Sequence, residues 1–184
     1  MNNKDFSLKP LPSADLPPHL KHLEIRGRIA RRSNLLSINY ALLGLSSEIV
    51  VPVPADNPVR KNALWEETCF EFFLASKYSD RYWEFNLSPS GHWNVFSFKS
   101  YRQDMREETA FESLVPDILR YDKSFRLTLE LDLDRIIPPE TILQVAVSAV
   151  IRSVNRGTTY WALTHTGQHA DFHSRDSFTI ELAP

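Results

Sequence analysis

A chain of 184 residues with a formal net charge of -2, 42% hydrophobic and 24% charged, has the ordinary balance of a globular protein with one normal-sized core. So little net charge gives nucleic acid or an acidic membrane surface no electrostatic footing as a partner. A single cysteine, Cys69, excludes an intrachain disulfide, and no apolar run has the length of a membrane-spanning helix.

Residues 1–18, MNNKDFSLKPLPSADLPP, are polar and proline-rich and read as an N-terminal arm, which leaves residues 19–184 as a single domain. The arm has neither the basic start nor the apolar run of a secretory signal, so the expected location is the cytoplasm. From Leu20 to Ile29 the chain alternates, with Leu23, Ile25 and Ile29 against His22, Glu24, Arg26 and Arg28. Leu36, Ile38 and Tyr40 continue this pattern as a second strand, which Gly44 ends. Prolines in the following stretch forbid a central strand there.

Residues 64–98 read as three strands joined by two tight turns. Thr68, Phe70, Phe72 and Leu74 alternate with Glu67, Cys69, Glu71 and Phe73. Trp83, Phe85 and Leu87 alternate with Tyr82, Glu84 and Asn86. After the turn Ser88-Pro89-Ser90-Gly91, Trp93, Val95 and Ser97 alternate with Asn94, Phe96 and Phe98. Requiring the apolar faces to agree selects a register. It pairs Ala75 with Asp80 and Leu87 with His92, which sets Phe72 opposite Trp83, Phe70 opposite Phe85 and Trp83 opposite Phe96 as an aromatic core face. The other face then carries Glu71 opposite Glu84, Cys69 and Trp93 opposite Asn86, and Phe73 opposite Tyr82.

Like charges across a ladder repel. The Glu71 and Glu84 pair therefore calls for an arginine, a ligand, a metal or a shared proton. A surface of Trp, Tyr, Asn and Glu suits a polar, ring-shaped ligand, on which aromatics stack while polar groups fix orientation. Cys69 lies within the strand and reads as a small packing residue.

Residues 99–117 are polar and read as a long loop returning across the sheet, with Arg102 either neutralising the acids or capping the loop. Phe125, Leu127, Leu129 and Leu131 form a strand with one wet face. Residues 134–137, before Pro138 and Pro139, suggest one helical turn. In 142–152, Leu143, Val145, Val147, Ala149 and Ile151 face one way. Gln144, Ala146, Ser148, Val150 and Arg152 face the other, where small side chains leave room above the sheet. Arg152 is a candidate partner for the acidic pair. Residues 158–163 and 177–182 close the fold as strands, joined by a loop holding His165, His169, Asp171 and His173. If that loop is extended, His169, Asp171 and His173 share one side in a metal-ligand alternation. Otherwise Asp171 and His173 hydrogen-bond to fix the loop beside the ligand face. About ten short strands with little helix point to an antiparallel two-sheet β-sandwich, with a closed barrel as the rival.

The segments LWEETCFEFFLA, YWEFNLSPSGHWNVFSF, YRQDM and WALTHTGQHADFHSRDSF resemble the DOMON-like domains. These group with family-nine carbohydrate-binding modules as jelly-roll-like ligand-binding sandwiches. The resemblance implies a non-catalytic domain that binds a small molecule on one sheet, sugars or haem in its relatives and most naturally a sugar here, and no cofactor is expected. It also implies residue roles. Trp65 and Glu67 match the aromatic-acidic entry to the binding strand. Tyr82, Glu84 and Asn86 match the polar side of the next strand, and Trp161 matches a stacking aromatic. Trp65, Trp93 and Trp161 are each open to packing or to ligand stacking. Haem-binding relatives use a methionine and a histidine as axial ligands. Here only Met1 and Met105 exist, and Met105 falls in the charged loop. Three rival functions stand beside sugar binding: a glycoside-active enzyme with Glu71 and Glu84 as acid and base, a metal-binding protein, and a haem carrier.

Overall fold

In a computed structural model, described for residues 2–12, 16–154 and 157–184, the chain is almost wholly β. The strands are β1 (Asn2–Pro10), β2 (Glu24–Arg32), β3 (Leu35–Leu43), β4 (Cys69–Ser76), β5 (Tyr82–Leu87) and β6 (Trp93–Phe98). They continue as β7 (Arg106–Glu107), β8 (Asp117–Tyr121), β9 (Ser124–Asp132), β10 (Leu143–Ser153), β11 (Gly157–Ala162) and β12 (Ile180–Leu182). Among the described residues helix is confined to three single 3-10 turns, and none of it is long and apolar enough to cross a membrane.

All strand pairings are antiparallel, and they join the strands into one 12-stranded sheet in the order β7-β6-β5-β4-β10-β11-β1-β2-β3-β9-β8, with β12 on the edge of β10. Two separate sheets were expected. The strand that joins them is the segment expected to be an arm. Asn2 to Leu8 of β1 pairs with β2, and Lys9 and Pro10 then pair with Ala162 and Trp161 of β11. Only Phe6 and Leu8 of β1 turn inward, too few to make the segment read as a strand. Gly27 lets β1 seat. A Cβ there would lie 2.6 Å from the Phe6 ring and 1.9 Å from the Asn39 carbonyl oxygen.

The sheet curls so that its two halves bury one core. Tyr40 of β3 lies 5.4 Å from Phe6 and 5.0 Å from Phe70 of β4, and Phe70 stacks on Phe125 of β9 at 5.6 Å. The Tyr40 hydroxyl donates to the Glu71 carbonyl at 2.8 Å, tying the halves together directly at the acidic position.

Both expected registers in the central hairpins shift. Between β4 and β5, Phe72 pairs with Phe85 and Leu74 with Trp83, two residues from expectation. A slip of two keeps every side chain on its face, but Glu71 now opposes Asn86 and lies diagonal to Glu84. Between β5 and β6 the slip is one, pairing Leu87 with Trp93 and Glu84 with Phe96. The turn holds one residue more than expected, closed by Ser88 N–H to the His92 carbonyl, with Gly91 at φ 91° against Pro58. An odd slip inverts β6. Trp93 and Val95 go into the core, whereas Phe96 and Phe98 come out beside Tyr82.

Candidate functional site

The face of β4, β5, β6 and β10 turned away from the core is where the polar strand positions gather. Register sets Ser148, Glu71, Asn86 and Asn94 in one row across four strands, and Ala146, Phe73, Glu84 and Phe96 in the next. Two acids therefore stand as diagonal neighbours, roughly 7–8 Å apart at the backbone, inside a largely apolar surface.

What covers this face follows from how β10 is flanked. β11 and β12 both add to one edge of β10, with Ala162 opposite Ser148 and Ile180 opposite Val145. Nearly adjacent sites on one edge leave residues 163–179 no room within the sheet, so the segment crosses the face. Phe178 packs at 5.9 Å from both Phe73 and Tyr82, and the His173 ring lies 5.1 Å from Phe98 and 5.3 Å from Phe73. Between this cover and the strands lies a cavity of about 400 Å3. Glu71, Glu84 and Val150 form its floor. Trp65, Phe98, Tyr160, Phe172 and His173 wall it, with Arg102, Met105 and Ala170 completing the lining.

Glu71 is 3% exposed and Glu84 5%. Ser148 donates to Glu71 Oε2 at 3.2 Å, and the Asn86 amide donates to Glu84 Oε1 at 2.9 Å. Burial raises the pKa of both, and for Glu71 the neighbouring charge of Glu84 adds to it. Ser148 counters for Glu71, and Asn86 and Arg102 counter for Glu84. The pair titrates as a unit and keeps a proton near neutral pH.

His173 is poised differently. The Tyr82 hydroxyl accepts the Arg102 backbone N–H at 3.1 Å and is hydrogen-bonded with His173 Nδ1 at 2.8 Å. The other ring nitrogen, Nε2, lies 3.8 Å from Glu84 Oε2. Burial, and then the Arg102 charge, push the His173 pKa down to about 4, so the ring is neutral at pH 7. Burial also pushes Tyr82 up to about 12 and Cys69 well above the usual thiol value, leaving both protonated. Arg102 sits at φ 52° and donates from Nη2 to Asp171 Oδ1 at 3.0 Å, while Tyr101 donates to Asp171 Oδ2 at 2.8 Å.

The expected site residues divide sharply. Glu71, Glu84, Arg102, Trp65 and His173 line the cavity, with Tyr82 and Asn86 holding it from behind. Trp65 is 37% exposed, its ring 5.8 Å from Phe96. Trp93 and Trp161, weighed as stacking residues, are each 2% exposed and belong to the core between the sheet halves. Glu67 is exposed and outside the cavity. Arg152, expected beside the acids, is exposed and donates instead to the Glu66 carbonyl at 3.0 Å. It stands four positions along β10 from Ser148, the residue that does oppose Glu71.

The histidine loop does not assemble a ligand set. His165 Nε2 meets the Lys9 carbonyl at 2.9 Å, His169 is exposed, Asp171 is bound to Arg102 and Tyr101, and His173 to Tyr82. Among the described residues no three His, Cys, Asp or Glu side chains stand together as a metal site. Met105 lines the same cavity as His173, but both imidazole nitrogens are already directed at Tyr82 and Glu84. Met1 lies outside the described residues.

Phe98, Tyr160 and Phe172 also line the cavity, although their strand and loop patterns did not mark them as site residues. Phe98 was hidden by the inverted β6. Phe172 had a signal, as the one phenyl ring in an otherwise polar loop.

The strand order defines an all-β, antiparallel protein, and likeness to two solved structures gives it a carbohydrate-binding-module-like fold. A protein from Bacteroides uniformis, provisionally designated carbohydrate-binding, matches with a TM-score of 0.67 at 13% identity, over 94% of this chain and 84% of its own. A family 9 carbohydrate-binding module from Caldicellulosiruptor kristjanssonii, solved in complex with glucose, gives 0.52 at 10% identity, over 89% of this chain and 77% of its own. No protein-family model matches the chain, and no curated protein matches it by sequence. Likeness at such identities shows the fold alone.

Proposed function

We propose that the cavity over β4, β5 and β10 binds a small carbohydrate without chemically altering it, and that the chain is a DOMON-like relative of the family 9 modules. One observation carries this reading: two buried carboxylates form the floor of a cavity whose walls are aromatic. Trp65, Tyr160 and Phe172 offer ring faces to the C–H face of a pyranose, and carboxylate oxygens accept from its hydroxyls. The module-like fold supports the same ligand class.

Calorimetry with mono- and oligosaccharides tests it. Binding in the millimolar range or tighter is expected, weakened about tenfold or more when Trp65→Ala removes a stacking ring. No heat with any sugar at millimolar concentration would discard the proposal. Hydrolysis of a chromogenic glycoside, lost in Glu71→Gln, would replace the non-catalytic reading with an enzymatic one.

A further inference from the structure

The charge balance of the cavity points to a narrower ligand class within the carbohydrate reading, on which this inference rests. Four carboxylate oxygens of Glu71 and Glu84 receive two hydrogen bonds, both from neutral donors, Ser148 and Asn86. Among the described residues Glu71 Oε1 accepts none, and Glu84 Oε2 has only the neutral His173 ring beside it, with Nε2 3.8 Å away and beyond hydrogen-bond reach. Arg102 is the cation on the cavity wall, and its guanidinium is paired with Asp171. Arg152 points elsewhere, to the Glu66 carbonyl. Arg102 favours the charge of Glu84 without bonding to it, and a folded chain seldom leaves two nearly buried acids without a bonded cation unless something else supplies one.

We infer that the cavity selects a ligand bearing a protonated amine, such as an amino sugar, over its neutral counterpart, because two buried carboxylates face it and its own cation is already paired. An ammonium brings both charge and several N–H donors to the two oxygens that accept no hydrogen bond. Trp65 and Tyr160 line the same cavity, and an aromatic ring attracts a cation held over its face. A neutral hydroxyl can hydrogen-bond there but cannot neutralise the pair. It has to bind while the acids keep their proton, whereas an ammonium displaces that proton to solvent.

The surroundings leave Glu71 and Glu84 as the groups that respond. Cys69 on β4 and Tyr40 on β3 are pushed to higher pKa by burial, as is Tyr82 on β5. His173 and Asp171 on the covering segment and Arg102 on its loop keep fixed charge states near neutrality.

Isothermal calorimetry on the intact chain with glucosamine, glucose, N-acetylglucosamine and tetramethylammonium, in buffers of different ionisation enthalpy, separates the outcomes. Glucosamine is expected to bind about tenfold or more tighter than glucose or the acetylated sugar, a preference of about 1.4 kcal/mol. Proton release should accompany binding. Glu71→Gln and Glu84→Gln, near-isosteric and checked for folding by thermal melting, should erase the preference. Glucose bound as tightly as glucosamine, with no proton release, overturns the inference and leaves the carbohydrate reading standing. Tetramethylammonium bound in a Glu71-dependent way, with no sugar bound, supports cation selection and discards the carbohydrate reading. No binding by any of the four discards both.

Discussion

Arg31 and the Glu71–Glu84 pair are charges withdrawn from water in the same chain, and they are satisfied in opposite ways. Arg31, 2% exposed, donates to the carbonyls of Ser33, Thr141 and Pro139 and to the Asn34 side chain. Asn34 in turn donates to Asp134 and to the Ile137 carbonyl, so one guanidinium stitches the β2–β3 turn to the segment before β10. The two acids, equally withdrawn, accept hydrogen bonds at only two of their four oxygens and open onto a cavity. A buried charge with nearly all its hydrogen bonds made holds a fold together, whereas an under-satisfied one beside a cavity is a place for a partner.

The sharpest way to break this comparison is to delete each charge. Arg31→Ala strands several buried carbonyls and should cost about 3 kcal/mol or more, read as a lower urea midpoint. Glu71→Gln should do the reverse, raising stability by about 1 kcal/mol at alkaline pH, because it removes a buried charge that nothing neutralises. If Glu71→Gln instead destabilises as strongly as Arg31→Ala, the acids are structural and the contrast collapses.

A pH series sharpens it. In the unfolded chain both glutamates lose their protons near 4.5, while the native pair keeps one towards neutrality. The native state thus binds more protons over that window. Stability from the pair is complete below it and is lost as pH rises through the raised native values. His173 has the opposite sign. Its native pKa is depressed from 6.5 to about 4, so its contribution is present above 6.5 and lost as pH falls through about 4. Urea titrations across pH should therefore show an alkaline decline that the Glu71→Gln, Glu84→Gln double variant flattens, and an acid decline that it leaves in place.

The smallest effects are expected at the rim and outside the cavity. Trp65→Ala should change stability by less than about 1 kcal/mol, because the ring is already part-exposed, while weakening sugar binding. Arg152→Ala and Glu67→Gln should shift neither stability by more than about 0.5 kcal/mol nor affinity. A loss of binding in either would show that the ligand extends beyond the cavity.

Alternation along each strand was enough to set the all-β, antiparallel character and to put Glu71, Tyr82, Glu84 and Asn86 on one side of the sheet. That assignment survived a two-residue error between β4 and β5 because strand faces repeat every two residues. The same logic failed at β6, where one extra turn residue exchanged Trp93 for Phe96 and Phe98. It failed as well for β1, which carries only two inward apolar residues, and for Trp161, whose place depends on the pairing of β11 with both β1 and β10. The cover over the acids was decided furthest from local pattern, by β11 and β12 meeting on one edge of β10 and forcing the segment between them across the face. Side-chain direction is a property of neighbouring residues, whereas register, enclosure and the pairing of buried charge depend on which distant strands share hydrogen bonds.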